Sequence, residues 1–524
     1  MNEYISTLND EQKTVVYASD NRILCLAGAG TGKTRCMIAR ITRLIEDGVD
    51  PSSILALTFT NAAALEMSNR FSTFVNTEVS PEFRTFHSFC YSLLVSNRSV
   101  LLKCGYTRVP DIATKEDEKL VKAKAQMQVG IKSKTLTKTE SAILEKSIKR
   151  ILKSENKITF DQICRCVTDL FVQDDSSIRY YKNKYRYIFV DEFQDTDPVQ
   201  YEFIESFSES SIFVVADVQQ SIYGFRGADS SITKRLSKDP DWKTYKLSHN
   251  YRSTKQICEY ANEIISPYSE PAYRVSLVSE RNGEDIEIVY YTDLDTVLES
   301  FVRNRERIQS QDAILVRTNR EVEALTALLK SNGLKYTTNK STVSEIENIL
   351  LSVKSDSYAM NYLSSLLDSS RYIQYVRSSY LLQVYREYTL EDFMIDFGWD
   401  KSIDSAYRLI FNIRNIYLQS DTERAIPLIC KQLGISLNVE ITECDAIQYI
   451  LDNFSDSISC EGVYVGTIHS VKGLEFDNVY VVGVGGSTFP ITSEENHNLF
   501  YVAVTRAKHT LHVYMKEFNK IDKG

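Results

Sequence analysis

The densest chemistry in the chain lies in eight residues, Ala27-Gly28-Ala29-Gly30-Thr31-Gly32-Lys33-Thr34. A loop so poor in bulky side chains lets backbone N–H groups converge on phosphate oxygens. A helix opening at its end adds free N–H groups and the positive end of its dipole. Lys33 then reaches the β- and γ-phosphates of a nucleotide, and the Thr34 hydroxyl serves as a ligand to Mg²⁺. The usual pattern opens with Gly, and here that place is Ala27. A second, acidic stretch complements the loop. Asp191-Glu192-Phe193-Gln194-Asp195-Thr196 follows the apolar run Tyr187-Ile188-Phe189-Val190, so a strand aims adjacent carboxylates. Asp191 would hold Mg²⁺ through water, and Glu192 would orient and deprotonate an attacking water. In Leu8-Asn9-Asp10-Glu11-Gln12, Gln12 can close a capping box with Asn9 or pair with the N6/N7 edge of adenine, and both can hold.

Other side chains suit a strand of nucleic acid. Tyr223-Gly224-Phe225-Arg226 follows a strand tip, and two aromatics with an Arg make a stacking platform worth about 1–3 kcal/mol per base. The plainer alternative is a small hydrophobic staple beside the sheet. Thr58-Phe59-Thr60-Asn61 ends another strand, at the edge where open α/β sheets bind ligands. His87, between Phe86 and Ser88, reads by itself as a structural histidine before it reads as a ligand.

These groups need an α/β frame to position them. Short apolar runs at Ile23–Leu26, Ile54–Phe59, Tyr187–Val190 and Ile212–Asp217 alternate with helical patterns, and after residue 37 the residues Met37, Ile38, Ile41, Leu44 and Ile45 fall on one helix face. From about 96 to 180 the chain is helical and rich in Lys, from Lys115 to Lys157. It reads as an insertion presenting either a solvated face or a patch that tracks a nucleic-acid backbone. A second α/β set follows, with strands at 286–290, 313–316, 463–465, 479–482 and 511–514 and a helix over 294–308. A mostly helical run from 344 to about 454 interrupts it; its Tyr358, Tyr362, Leu366, Tyr372, Tyr375 and Val376 read as core. The expected segments are 1–95 and 181–247 for the first α/β domain around insertion 96–180, and 248–344 and 456–524 for the second around insertion 345–455.

The net charge of −9 would repel phosphate globally, so a nucleic-acid surface must concentrate positive charge locally. The ten Cys are scattered with no C-x-x-C pair, which excludes an obvious zinc or iron–sulfur site and reads as free thiols in a reducing cytoplasm. With a polar start and no apolar h-region, no signal peptide is expected, and no apolar run approaches the roughly 20 residues of a membrane span.

Taken in order, LNDEQ, AGAGTGKT, LTFTNAAALEM, TFHSF, VDEFQDT, VVADVQQSIYGFRGA, NYRS, ILVRTN, TIHSVKGLEF and LFYVAVTRA resemble the motifs of superfamily 1 DNA helicases of the UvrD/Rep/PcrA type, from Leu8 to Ala507. The resemblance implies two RecA-like domains with parallel sheets and ATP with Mg²⁺ between them. Nucleotide would be bound by Gln12, the loop residues Gly28, Ala29, Gly30, Thr31, Gly32, Lys33 and Thr34, Arg35 near the adenine, Tyr251 stacked on it, and Glu475 near the ribose. Gln220 would sense the γ-phosphate, with Arg252 and Arg506 as arginine fingers. Phe59, Asn61, His87, Tyr223, Phe225, Arg226 and His469 would face single-stranded or 3′-tailed DNA, along which family members move 3′→5′. The chain departs from the family at Ala62 (usually Lys), at Phe225 (often Trp), and at His497-Asn498 (usually an Arg pair). The second insertion is shorter than the family's, and since the last motif is followed by only a short stretch, no appended nuclease is expected. This layout is similar to that of the helicase-like subunit of Gabija-type anti-phage defence, which implies an alternative function: a DNA-sensing ATPase that activates a partner nuclease of the OLD family.

Overall fold

Strand β1 (Arg22–Ala27) is buried on both faces from Ile23 to Ala27, as a run of consecutive apolar residues requires in the middle of a parallel sheet. Its sheet, in this computed structural model, is completed by β2 (Ile54–Thr58) and β3 (Glu82–Thr85), then, beyond the short β4 (Asp111–Ile112) and β5 (Lys157–Ile158), by β6 (Tyr187–Val190), β7 (Ser211–Ala216) and β8 (Lys243–Leu247). The order is β3-β2-β6-β7-β1-β8, parallel throughout. Residues 3–75, 79–113, 115–130, 137–293, 296–297, 301, 311–338, 349–354, 356, 359, 362–363, 390–391, 394, 401–420, 422–433, 446–447, 450 and 462–516 are described.

Alternation along the strands feeds two cores. Ile23, Cys25, Ala56, Phe189 and Phe213 meet Met37, Ile38 and Ile41 of the helix Lys33–Glu46 on one face. Leu24, Leu26, Leu57, Val190 and Val214 meet Phe86, Phe89 and Phe203 on the other. The second sheet holds β9 (Glu287–Tyr291), β10 (Ala313–Val316), β11 (Tyr336–Thr337), β12 (Val463–Thr467), β13 (Phe476–Val484) and β14 (Ala507–Lys516), in the order β11-β12-β10-β13-β14-β9, again all parallel. In both sheets the segments with site chemistry leave from carboxyl ends of strands: Gly28 after β1, Phe59 after β2, Asp191 after β6, Asp217 after β7 and Ile468 after β12.

The first insertion is a hairpin of the helices Lys115–Val129 and Lys138–Ser154, packed on Val121, Ala125, Leu144 and Leu152. Its base corrects the sequence reading twice. β4 and β5 pair there, two residues each, too short to leave an alternating pattern. Cys104 and Cys166 are joined in a disulfide, Cα–Cα 5.8 Å, rather than left as free thiols; no local spacing announces it because 62 positions separate them. In the second insertion the helices Lys401–Gln419 and Thr422–Leu433 pack through Ile410, Ile413, Ile426 and Ile429, and Tyr362 is buried with them. The expected core positions Tyr358, Leu366, Tyr372, Tyr375 and Val376, and most of the helix expected at 294–308, lie outside the described residues.

The Cys104–Cys166 bridge closes a loop containing the whole lysine-bearing hairpin. Chain-entropy bookkeeping for a loop of that length gives about 4 kcal/mol. Reduction, or Cys166→Ser, is expected to lower the melting temperature and leave the helical circular-dichroism signal intact at 25 °C, measured by thermal melts with and without reductant.

Candidate nucleotide and nucleic-acid site

The phosphate loop takes the conformation its glycines allow. Gly30 and Gly32 have φ of +69° and +84°, left-handed values that a Cβ would strain. Gly32 caps the helix Lys33–Glu46 without any side-chain bond, so the first N–H groups of that helix are not consumed by a cap. A Cβ on Gly30 would stand 2.8 Å from the side chains of Asn250 and Arg252, and one on Gly32 would stand 2.9 Å from Gln12 Nε2. The loop is thus a cradle with walls from elsewhere in the chain. Asn250 Nδ2 donates to Ala29 O at 2.7 Å, the Tyr251 N–H donates to Gly30 O at 2.9 Å, and the Ala29 N–H donates to the Tyr501 hydroxyl at 3.4 Å.

Gln12 closes the capping box with Asn9, Gln12 N–H to Asn9 Oδ1 at 2.8 Å and Asn9 N–H to Gln12 Oε1 at 3.2 Å, and its Nε2 donates to Thr31 O at 3.0 Å. The cap therefore also ties the helix Asp10–Tyr17 to the phosphate loop. Asn9 Nδ2 donates to the hydroxyl of Tyr251 at 2.7 Å, and Arg35 packs over the Tyr4 ring at 5.6 Å.

Thr34 Oγ1 donates to Asp191 Oδ2 at 3.3 Å, which brings two oxygen donors together in the manner a hard divalent cation takes. Lys33 Nζ lies 3.7 Å from Asp217 Oδ2. Glu192 stands beside Asp191 with φ of +51°, uncommon for a residue with a Cβ. Gln194 Nε2 donates to its carboxylate. Burial and the neighbouring Glu192 charge push Asp191 up to about 7. Burial would raise Glu192 too, but Lys33 and Lys472 outweigh it and bring Glu192 down to about 2. The negative charge of the pair therefore rests on Glu192, the group expected to act as base.

The second α/β unit adds further cations. Arg506 is 2% exposed, and its guanidinium donates to Val502 O (3.0 Å), Leu474 O (3.1 Å) and Gln220 Oε1 (3.2 Å). Burial, with Arg252 nearby, pulls its pKa down to about 9, so it stays protonated at neutral pH. Gln220 Nε2 in turn donates to Asp217 Oδ2 at 2.6 Å. Arg252 Nε donates to Glu475 at 2.7 Å and its NH1 to Thr505 O at 3.2 Å, so the expected ribose residue Glu475 here holds Arg252, with Lys508 at 3.2 Å.

The expected nucleic-acid residues divide. Tyr223, Phe225, Arg226 and His469 come together: Tyr223 and Phe225 centroids are 6.1 Å apart, Phe225 and His469 5.7 Å apart, and the Arg226 guanidinium lies 4.9 and 5.5 Å from the two phenyl-type rings. Phe225 is 66% exposed, which excludes a staple. His87 instead meets Phe160 edge-on at 5.6 Å. Phe59 is half-buried after β2, and the side chain of Asn61 lies outside the described residues. Sequence reasoning missed Lys472, Asn250, Gln194 and Asp217. Each sits inside a stretch already singled out, but each also has a partner from a distant stretch: Gln194 with the Asp217 N–H, Asp217 with Lys33, Asn250 with Ala29 and Lys472 with Asp195. Lys472 Nζ pairs with Asp195, donates to Gln220 O at 3.0 Å, lies 3.9 Å from Glu192 and sits 4.8 Å from the Tyr223 ring centroid.

With this geometry in place, comparison with known proteins agrees with the motif reading. The profile of the UvrD/REP helicase N-terminal domain matches residues 8–102 and 107–241, and that of the UvrD-like helicase C-terminal domain matches 245–353 and 401–517. The chain belongs to the UvrD/Rep helicase family. It is similar to the ATP-dependent DNA helicase PcrA of Staphylococcus epidermidis RP62A (26% identical, covering 98% of this chain and 84% of that protein) and to PcrA of Staphylococcus aureus Mu50 (28%, with the same coverages). The stretch 354–400, which the C-terminal profile passes over, falls in the second insertion. Among the described residues no helix is long and apolar enough to cross a membrane.

Burial and the charges of Arg317, Arg226 and Lys472 push His469 down to about 4, below the usual 6.5. A histidine held neutral in the fold opposes protonation, so stability is lost as pH falls from about 6.5 toward 4. Denaturant melts over that range are expected to show a shallower decline for His469→Asn than for the parent.

Proposed function

We propose that the chain is an ATP-driven DNA helicase that translocates 3′→5′ on single-stranded DNA, hydrolysing ATP between its two sheets. The observation that carries this reading is one continuous chain of contacts: Lys33–Asp217–Gln220–Arg506 across the nucleotide cleft, continued by Lys472 from Gln220 and Glu192 to the Tyr223 ring of the aromatic platform. A phosphate site and a stacking surface that share one lysine can exchange work, because a displacement of either shifts a group that the other needs in place.

In this reading the loop N–H groups and Lys33 bind the β- and γ-phosphates, and Tyr251 and Arg35 flank the adenine. Thr34 and Asp191 would hold Mg²⁺, which neutralises phosphate charge when bound. Glu192, already ionised and held by Gln194, accepts the proton of the attacking water. Arg252 and Arg506, both on the second unit, donate to the charge that builds on the γ-phosphate and do so only when the cleft is closed. Gln220 lies between Arg506 and Asp217. Tyr223, Phe225 and His469 take the bases by stacking, with Arg226 beside them.

Steady-state ATP hydrolysis is expected to rise with added oligo-dT and with Mg²⁺, to vanish with a chelator, and to fall by about 10²–10⁴ in Glu192→Gln with nucleotide still bound. A DNA-independent rate that Glu192→Gln leaves unchanged would remove this reading. Phe225→Ala is expected to weaken oligo-dT binding by about 1–3 kcal/mol, read by fluorescence anisotropy. Unwinding of a 3′-tailed but not a 5′-tailed duplex tests the direction.

A further inference from the structure

The short loop Val218–Ser221 joins the two halves of the machinery. It starts beside Asp217, carries Gln220, and leads within four residues to Tyr223 and Phe225. Its backbone carbonyls are held from the opposite unit. Asn498 Nδ2 donates to Val218 O at 3.4 Å and to Ser221 O at 3.2 Å, while Lys472 donates to the carbonyl between them, that of Gln220. Asn498 is 8% exposed, so water does not compete freely for these bonds.

The helix that presents Asn498, Glu494–Val504, touches the first unit along one face. Glu494 pairs with Lys234, Asn498 holds the loop, and Tyr501 accepts the Ala29 N–H. Spacings of four and three residues stack these three side chains one above another. Two residues beyond the helix end stands Arg506, whose guanidinium meets the Gln220 side chain. One rigid rod thus measures the distance between the loop backbone and the finger that must meet the loop's own side chain.

We propose that Asn498 is a positioning residue: it sets the Val218–Ser221 loop against the helix leading to Arg506, so that a shift of the aromatic platform on DNA is delivered to Gln220 and the finger in register. The role rests on the ATP-driven DNA reading above. It depends on donors and not on shape. An amide nitrogen carries two hydrogens and faces two carbonyl oxygens, whereas the isosteric carboxylate of Asp carries none and would place oxygen against oxygen. The family's usual Arg at this place, by contrast, is donor-rich.

The test compares the full-length parent with Asn498→Asp, Asn498→Ser and Asn498→Arg, with Lys33→Ala as the blank. Rates are measured with and without oligo-dT, alongside amide hydrogen exchange over residues 218–222. Asn498→Asp is expected to lower the DNA-stimulated kcat about tenfold, with the ATP KM and the DNA-free rate within about twofold of the parent, and to speed exchange in that segment. Asn498→Ser, with one donor, should fall between, and Asn498→Arg should keep most of the stimulation. The milder Ser variant decides the matter should Asp fail to fold. Parental kcat in Asn498→Asp, or a loss that strikes the DNA-free rate and KM equally, would overturn the proposal. A parent whose hydrolysis ignores oligo-dT would overturn the motor reading instead, and unchanged exchange in Asn498→Asp would overturn the present proposal in either case.

Discussion

A guanidinium with 2% exposure is the constraint on which the rest of the molecule depends. Removing a charge from water costs several kcal/mol unless acceptors replace the solvent. Arg506 finds carbonyls on its own unit, at Leu474 and Val502, but one of its acceptors, Gln220, belongs to the other. The arrangement favours closure of the cleft: separating the two units would cost Gln220 and Arg506 the bond they share, while Asp217 still holds the one and Val502, Leu474 and Thr505 still hold the other. The Asn250 and Tyr501 contacts to the phosphate loop act in the same sense.

The carboxylates respond to the same charges. Lys33 and Lys472 approach Glu192 from opposite units and keep it ionised, while its neighbour Asp191 is pushed toward the neutral form. One site thereby separates two chemically similar acids into an ionised carboxylate and one pushed toward the neutral form. Both units contribute to the separation, since Lys33 comes from one and Lys472 and Arg506 from the other.

Much of this was legible in the chain. Consecutive apolar residues such as Ile23–Ala27 report strands buried on both faces, and the glycines of the phosphate loop report backbone that must approach something closely. The cluster of Tyr223, Phe225 and Arg226 was legible because two aromatics and an Arg follow a strand tip within four residues. What stayed hidden were partnerships between distant segments. Asn498 reads as a substitution in a helix until Val218 and Ser221 stand opposite it, and Lys472 reads as one basic residue among many until Asp195 and Tyr223 close around it. Cys104 and Cys166 show the same thing: a bond across the base of a hairpin leaves no periodicity behind. His87 and Glu475 show the converse, since family motifs name the residue but the local neighbours, Phe160 for one and Arg252 for the other, determine where each side chain is held.

The backbone of Glu192 carries a consequence of its own. A left-handed φ of +51° at a residue with a Cβ costs on the order of 1–2 kcal/mol, which Gly would recover. Gly would also delete the carboxylate. The position is therefore one where, in the proposed reaction, folding stability and turnover pull against each other, and a programme of stabilising substitutions guided by backbone preference alone would remove the proposed base.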